Sequence, residues 1–241
     1  MTSLDTPLSV DRPPVQDAPL ARGRDATIHP AGAGRVVRRL LDGRSTAHEA
    51  EVMTYVRTAG YPVPRVHRVG RGEIELDRVE GPTMLADLLR RPWRLVGHAR
   101  VLAALHHRLH AIPAPPALRA GPAAGDTVVH LDLHPGNVIL GPCGPVVIDW
   151  PHAARGSAAS DVALTWTSLG CFDHDATGFI AVLADRFRAV FLDRFLAAAG
   201  RAEARALLPT MVEYRLAHPL RSRSVRPAER ASLQRLAATA R

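Results

Sequence analysis

Lysine is absent from this 241-residue sequence, so all 31 basic side chains are arginine, and asparagine occurs once, at Asn137. Only Cys143 and Cys171 are present and no C-x-x-C motif occurs, which excludes a disulfide framework and favours a reducing compartment. No run of about 18 apolar residues exists, which excludes a membrane-spanning helix. The first residues lack the basic and apolar segments of a secretory signal. Together these absences predict a cytoplasmic protein with no membrane partner.

Aromatic residues make up only 5% of the chain, which bears on how its formal net charge of +8 is interpreted. A positive balance of this kind is found in nucleic-acid-binding proteins, but so few aromatic side chains cannot form a base-stacking platform. The arginines are also spread along the chain, with one cluster at Arg221–Arg230. We therefore expect no nucleic-acid partner, and a nucleic-acid-binding module stays an alternative that rests on charge alone.

The sequence pattern divides the chain into a tail and two further parts. Residues 1–19 carry four prolines and few large apolar groups, which predicts a flexible tail. Residues 20–79 show short strand patterns around one helix, and residues 80–241 are mostly helical. The elements predicted within residues 20–79 are a strand at Arg35–Leu40, a helix that begins at Thr46 and ends at Gly60, and a strand at Ile74–Asp77.

In the second part, apolar residues recur at steps of three and four from Leu95 to Ile112, which predicts one long helix. Two histidines of this helix, His106 and His110, lie one turn apart, but no third metal ligand accompanies them, so we expect no zinc site. Two short β-type runs, Val128–Val129 and Val138–Leu140, flank a polar loop. Nearer the end of the chain, a set of apolar residues is spaced for burial on helices: Ile180, Val182, Leu183, Phe187, Val190, Phe191 and Leu196.

The single asparagine ends the run His130-Leu131-Asp132-Leu133-His134-Pro135-Gly136-Asn137 in the polar loop. Its spacing, H-x-D-x-x-x-x-N, is the catalytic-loop pattern of kinase-like phosphotransferases. A second acid, Asp149, ends the apolar run Val146-Val147-Ile148. Asp132 is predicted to accept or orient the proton of a substrate hydroxyl, and Asn137 and Asp149 offer the oxygen ligands that magnesium requires. Either acid alone could cap a turn, but the joint pattern favours phosphoryl transfer.

These motifs, with Ile148-Asp149-Trp150, resemble those of the aminoglycoside phosphotransferase and choline kinase family, a branch of the protein-kinase-like fold. The similarity includes His134, Ser160-Asp161-Val162-Ala163 and Leu109-His110-Ala111-Ile112, and it extends from residue 20 to residue 165. The resemblance implies an α+β, two-lobed fold with a small β-rich N-lobe at 20–79 and a larger helical C-lobe at 80–241. It also implies ATP and magnesium as cofactors, and Asp161 as a brace for the catalytic loop.

In that family a strand lysine contacts the nucleotide phosphates and pairs with a helix glutamate, but this chain has no lysine. Arg38 is predicted to replace it, because it shares a strand face with Val36 and Leu40. Glu49 is the predicted partner, since it lies on the apolar face of its helix and Glu51 does not. A capping role for Glu49 stays open.

The resemblance also implies adenine contacts from the backbone of Asp77 and Val79, and the glycine at Gly23 suggests a turn over the phosphates. The expected function is ATP- and magnesium-dependent phosphorylation of a hydroxyl on a small molecule, by a monomer or dimer. The alternative is a nucleotide-binding pseudokinase, because arginine stands where lysine is usual.

The acceptor stays open among an aminoglycoside, choline, a sugar, homoserine and a macrolide. From His152 onward eight acids stand against thirteen arginines, which disfavours a polycationic aminoglycoside. Asp173 and Asp175 form the one local acidic pair in this part of the sequence.

Overall fold

The computed structural model describes residues 18–23, 25–170, 178–217 and 227–240. The predicted tail up to residue 17, the acidic pair Asp173 and Asp175, and the start of the arginine cluster at Arg221 lie outside the described residues. The chain forms two compact units. The first contains the described residues up to Ala50 together with Arg65–Arg78, and the second contains Glu51–Pro64 and the described residues from Val79 onward.

The first unit is built on one antiparallel sheet of five strands in the order β1-β2-β3-β5-β4. The predicted strand at Arg35–Leu40 is confirmed with both of its ends. It lies between β2 and β5, so that Arg38 is opposite Ile28 on one side and Ile74 on the other. The strands are β1 Ala21–Arg22, β2 Ala26–Pro30, β3 Arg35–Leu40, β4 Val66–Gly70 and β5 Glu73–Asp77.

Helix α1, Ala47–Thr58, begins one residue after Thr46, as its sequence predicts. The Thr46 hydroxyl donates a hydrogen bond to the backbone oxygen of Glu73 (2.9 Å), which fastens the start of the helix to β5. Gly60 follows the helix with a φ of 77°, a left-handed conformation that glycine adopts without strain. The predicted end of the helix is therefore confirmed.

The second unit combines helices with two small antiparallel sheets, β6 paired with β9 and β7 paired with β8. The long helix predicted from Leu95 is confirmed, and it packs against α5, whereas α4 packs against α6. The helices are α2 Met84–Arg90, α3 Leu95–His110, α4 Ala158–Gly170, α5 Gly178–Ala199, α6 Arg201–Ala217 and α7 Pro227–Ala238. The strands are β6 Thr127–Val129, β7 Val138–Gly141, β8 Gly144–Val147 and β9 Ala154–Gly156.

The burial predicted along α5 is wrong for part of the helix. Val182 and Leu183 are 61% and 59% exposed, and Val190 is also exposed, whereas Phe191 and Leu196 are buried. The helix carries apolar residues on several faces, so their spacing alone does not identify the face that packs. Nothing is described of the side chain of Ile180. Within the described ranges, each helix is too short or too polar to cross a membrane.

Candidate active site

The loop between β6 and β7 is a tight structure in which side chains hold the backbone. Leu131 has a φ of 61°, a left-handed conformation that a branched side chain rarely adopts and that is common where function requires strain. His134 precedes a 3₁₀ turn at Pro135–Asn137, and its Nδ1 accepts a hydrogen bond from the backbone N–H of Gly136 (3.0 Å). The turn brings Asn137 back to Asp132, where Asn137 Nδ2 donates to the backbone oxygen of Asp132 (2.9 Å).

The strained loop is held from behind by Asp161, a fully buried acid in the first turn of α4. Its carboxylate accepts hydrogen bonds from the backbone N–H groups of His130 (3.0 Å) and Leu131 (2.7 Å), and it contacts His110 Nε2 at 3.0 Å. Burial alone raises the pKa of this carboxyl, but the hydrogen bond and charge of His110 hold it well below its usual range. The brace implied by the family resemblance is thus formed by a buried carboxylate.

The second acid, Asp149, follows β8 and lies at the same end of the β7–β8 hairpin as Asn137. Val138 is opposite Val147 in this hairpin, and the N–H of Ile148 donates to the backbone oxygen of Asn137 (3.0 Å). Asp149 itself has a φ of 70°, so both loops carry a strained non-glycine residue beside the predicted site. The hairpin register therefore brings Asn137 and the residue before Asp149 into direct contact.

The ring of His130 joins the two loops, a role that sequence reasoning did not identify. Its Nε2 donates to the backbone oxygen of Ile148 (3.2 Å), and its Nδ1 accepts from the N–H of Asp132 (3.2 Å). These partners assign the proton of the neutral ring to Nε2. Burial lowers the pKa of His130, while Asp161, Asp132 and Asp149 each oppose this change. The three carboxylates therefore favour the protonated form of the ring, and burial outweighs them and favours the neutral form.

The donor set at the end of the hairpin fits magnesium. Because Asn137 Nδ2 donates to Asp132, the amide oxygen is the Asn137 atom that can coordinate a cation. Magnesium is typically held by one or two carboxylates together with water and substrate phosphates, so the amide oxygen of Asn137 and the carboxylate of Asp149 would be enough protein ligands for it. Among the described residues, no group of three or more His, Cys, Asp or Glu side chains could hold a metal.

The two histidines weighed for zinc have other partners. His106 is fully buried, with Nδ1 donating to the backbone oxygen of Leu102 (3.0 Å) and Nε2 contacting the Thr165 hydroxyl (3.0 Å). Burial lowers the pKa of His106 to about 4, so the ring is neutral at pH 7. His110 contacts Asp161. Both rings belong to the buried polar network behind the catalytic loop.

In the first unit, Arg38 and Glu49 form the predicted ion pair. Arg38 Nη1 lies 2.6 Å from Glu49 Oε1 and 2.5 Å from Oε2, and the two side chains are 11% and 3% exposed. Arg39 projects from the other face of the strand and pairs with Glu73 (2.9 Å), and Glu51 is exposed. The structure thus pairs Arg38 with Glu49, whereas Arg39 pairs with Glu73, and the role of Arg38 and Glu49 at a nucleotide stays a prediction.

The residues predicted to border the nucleotide are placed by backbone contacts. The N–H of Gly23 donates to the backbone oxygen of Ala26 (2.9 Å) and closes the β1–β2 turn. Asp77 ends β5, where its carboxylate contacts His67 Nε2 (2.7 Å) and accepts from the N–H of Arg65 (3.3 Å). Val79 is the residue at which the chain passes from the first unit into the second for the last time, and the nucleotide contacts of Gly23, Asp77 and Val79 stay predictions.

Just beyond Val79, Gly81 approaches β7 so closely that only glycine fits. A Cβ atom on Gly81 would lie 2.2 Å from the backbone oxygen of Leu140, and its φ is 138°. The N–H of Leu140 also donates to the backbone oxygen of Pro82 (2.9 Å). The segment after Val79 is thus fastened to the hairpin that follows Asn137. A single glycine in the sequence was not enough to predict this contact.

Family and fold comparisons agree with this geometry. The sequence model of the APH phosphotransferase enzyme family matches residues 21–208. The chain belongs to this phosphotransferase family. A comparison with curated proteins finds no match.

Solved structures of phosphotransferases share the fold. A choline/ethanolamine kinase family protein from Mesorhizobium loti has a TM-score of 0.60 and 14% identity, covering 98% of this chain and 90% of that one. The ternary complex of APH(2″)-IIa with streptomycin and ATP has a TM-score of 0.61 and 14% identity, covering 90% and 91% of the two chains. Aminoglycoside-3′-phosphotransferase of type VIII has a TM-score of 0.57 and 21% identity, covering 94% and 93%. The fold is kinase-like, with a small β-rich lobe and a larger helical lobe.

Proposed function

We propose that this member of the phosphotransferase family transfers a phosphoryl group from ATP to a hydroxyl of a small molecule, and that it requires magnesium. The observation that carries the proposal is the pair of joined loops that hold Asp132, Asn137 and Asp149. All three polar residues of the catalytic pattern are present, and each lies on a backbone that buried groups restrain. Such restraint is what phosphoryl transfer requires, because its catalysis consists mainly of positioning and charge neutralisation.

We assign a separate task to each residue. Asp132 accepts or orients the proton of the acceptor hydroxyl. Asn137 and Asp149 hold magnesium, which when bound neutralises phosphate charge as the phosphoryl group leaves. Arg38, oriented by Glu49, contacts the nucleotide phosphates. Two solved relatives support nucleotide and metal use in the family, one complexed with ATP and another, an amicoumacin kinase, with AMP-PNP and Ca²⁺.

The nucleotide contacts outside the catalytic loop are part of the same proposal. The backbone C=O of Asp77 and N–H of Val79 meet the edge of adenine, and the turn at Gly23 covers the phosphates. Backbone contacts of this kind require no particular side chain, so the support comes from position: Asp77 ends a strand held on both sides, and Gly81 fixes the segment that follows Val79.

We propose an acceptor that is not a polycation. Three acids of the helical region are neutralised by arginines: Asp185 by Arg188 (2.8 Å), Asp193 by Arg201 (2.6 Å) and Glu229 by Arg215 (2.7 Å). A polycationic aminoglycoside requires several carboxylates in its pocket. Choline, a sugar, homoserine and a macrolide each carry at most one positive charge and stay open as acceptors.

The competing function is a nucleotide-binding pseudokinase that lacks efficient turnover. The observation that suggests this function is Arg38, because its bulky, forked guanidinium stands where a lysine is usual. The enzyme is favoured because the arginine still pairs with Glu49 and because all three residues of the catalytic pattern are present.

The test has two stages. ATP binding is measured by calorimetry with magnesium and then with a chelator, and we expect much weaker binding without the metal; equal affinity would contradict the metal site. ATP turnover is then measured against a panel of hydroxyl compounds that includes an aminoglycoside, choline, a sugar, homoserine and a macrolide. GTP is tested in parallel. Magnesium-dependent binding without turnover of any compound would favour the pseudokinase.

A further inference from the structure

The connection between α2 and α3 displays large apolar side chains to solvent. Leu89 is 78% exposed and Trp93 is 77% exposed, and every residue from Leu89 to Arg94 is exposed. Leu85 lies one turn before Leu89 on the same face of α2, and Val96 is the second residue of α3; both Leu85 and Val96 are also exposed. We call Leu85, Leu89, Trp93 and Val96 the α2–α3 patch. Scattered single apolar residues are ordinary on a protein surface, but a tryptophan and three aliphatic residues within twelve positions are not.

Positive charge surrounds this patch. Arg90, Arg91, Arg94 and Arg100 are exposed beside it, and the one acid between Pro82 and Arg100 is Asp87. Asp87 is buried, where its carboxylate contacts His98 Nε2 (2.8 Å), Arg91 Nη1 (3.1 Å) and Arg94 Nη1 (3.6 Å). This buried acid therefore joins α2 to α3 and fixes two of the arginines around the patch, while presenting no negative charge to an incoming partner.

The shape and charge of the patch determine what it can bind. A second copy of the chain would bring the same arginines together across a two-fold axis, and a net charge of +8 on each copy opposes that contact. A partner must therefore be anionic and must accept apolar side chains. Six consecutive exposed residues, Leu89–Arg94, include the 3₁₀ turn at Pro92–Arg94. An exposed tryptophan and leucine on a turn with arginines beside them are typical of segments that lie in the interface of an anionic bilayer.

We propose that the α2–α3 patch is a docking site for an anionic lipid surface, with Trp93 and Leu89 in the interface and the arginines on the lipid headgroups. This revises the expectation of no membrane partner, which rested on the absence of a spanning segment. The proposal does not depend on phosphotransferase activity, and its test involves no turnover.

The native chain provides its own probe of this contact. Trp93 is exposed, whereas Trp150 is fully buried and Trp166 is half-buried. The full chain is mixed with vesicles of phosphatidylcholine alone or with added phosphatidylserine. We expect a blue shift of tryptophan emission and co-sedimentation with the phosphatidylserine vesicles, both reduced by high salt. Equal binding to the two vesicle types would overturn the proposal.

Paired variants separate the patch from the general positive charge of the chain. Leu89→Ser with Trp93→Ser should abolish most vesicle binding without changing net charge, and Val182→Ser with Leu183→Ser, on an equally apolar exposed stretch of α5, should not. Arg90→Gln with Arg100→Gln should weaken binding about fivefold per arginine, and more than Arg186→Gln with Arg194→Gln. Equal losses in patch and control variants would contradict the proposal. So would patch-dependent binding of polyglutamate without vesicle binding, since the partner would then be an acidic polypeptide.

Discussion

The ion pair of Arg38 with Glu49 and the catalytic loop around Asp132 are the two charged regions predicted to act on substrates, and they are held differently. Arg38 and Glu49 meet through their side chains, with one guanidinium nitrogen between two carboxylate oxygens. The catalytic loop is held through its backbone, by Asp161 from behind and by His130 across to Ile148.

This difference indicates which region tolerates change. Asp132 contributes its backbone N–H and C=O to these contacts, and such contacts do not depend on its side chain, so Asp132 can be replaced without releasing the loop. A side-chain ion pair depends on both partners, and removal of either takes from the other the charge that opposes it in a buried place. We therefore expect separable effects on chemistry and stability in the catalytic loop, and coupled effects at Arg38 and Glu49.

The largest effect is expected for Asp132→Ala, which should lower turnover by about 10²–10⁴-fold while fold and ATP affinity are kept. The reason is that Asp132 serves the acceptor hydroxyl and its backbone contacts stay in place. Asp149→Ala should instead lose magnesium–ATP binding and turnover together. Steady-state kinetics with an identified acceptor, or with background ATP hydrolysis, and calorimetry measure the two quantities.

Both alanine variants must keep the melting temperature of the parent, because a collapsed loop would imitate a catalytic defect. If Asp132→Ala with an unchanged melting temperature turned over an identified acceptor at the parental rate, the phosphotransfer mechanism would fail.

The brace itself is tested by Asp161→Asn. An amide of the same shape cannot accept from His130, Leu131 and His110 as the carboxylate does, so we expect a loss of about 3 kcal/mol in the free energy of unfolding. Urea denaturation measures it. Asp193→Asn, which alters an exposed ion pair on α5, is the control and should change stability by less than about 1 kcal/mol. A similar loss in both variants would mean that the hydrogen bonds of Asp161 contribute no more to stability than an exposed ion pair does.

The buried histidines make stability depend on pH. Burial lowers the pKa of His106 to about 4 from an ordinary value of 6.5, so the unfolded chain binds more protons between these values. The contribution of His106 to the free energy of unfolding is therefore complete above pH 6.5 and decreases as the pH falls toward 4. Between pH 7 and pH 5 this decrease amounts to about 2 kcal/mol. His130 acts in the same direction, and Asp161, whose pKa is depressed, adds a loss below the ordinary carboxyl pKa.

Urea denaturation at several pH values in this range measures how the free energy of unfolding depends on pH. We expect a steep dependence for the parent protein and a flatter one for His106→Gln. His107→Gln, an exposed neighbour on the same helix, should keep the parental slope. Parallel slopes for all three proteins would show that His106 is not the group that titrates.

Features that depend on residues close together in the sequence could be predicted from sequence patterns. The alternation of Arg35–Leu40 specifies β3, and the helical period separates Glu49 from Glu51. The loop motif and the acid after the next apolar run predict Asp132, Asn137 and Asp149 as site residues, and the turn and the hairpin that this spacing requires are present, while the roles of the three residues stay predictions. By contrast, β9 is three residues long and depends on its pairing with β6 and on backbone contacts with Arg119 and Gly121, which no local pattern encodes.

Other features depend on contacts between distant residues and could not be predicted. Gly81 is required by the approach of Leu140, and the ring of His130 gains its linking role from Ile148. The exposure of Val182 and Leu183 follows from which face of α5 packs against α3. Each depends on tertiary packing, where periodicity gives several equally good faces.

The smallest effect is expected at the ion pair. Glu49→Gln should lower turnover about tenfold, since the amide holds Arg38 without charge, and Glu51→Gln should leave it unchanged because Glu51 is exposed. Stability should fall with Glu49→Gln as well, because the nearly buried guanidinium loses the carboxylate charge of Glu49. This joint loss is what distinguishes a side-chain ion pair from the backbone-held loop, where Asp132→Ala affects turnover alone. If Glu49→Gln lowered turnover at full stability, Arg38 would have to be oriented by other contacts, and the contrast between the two regions would not hold.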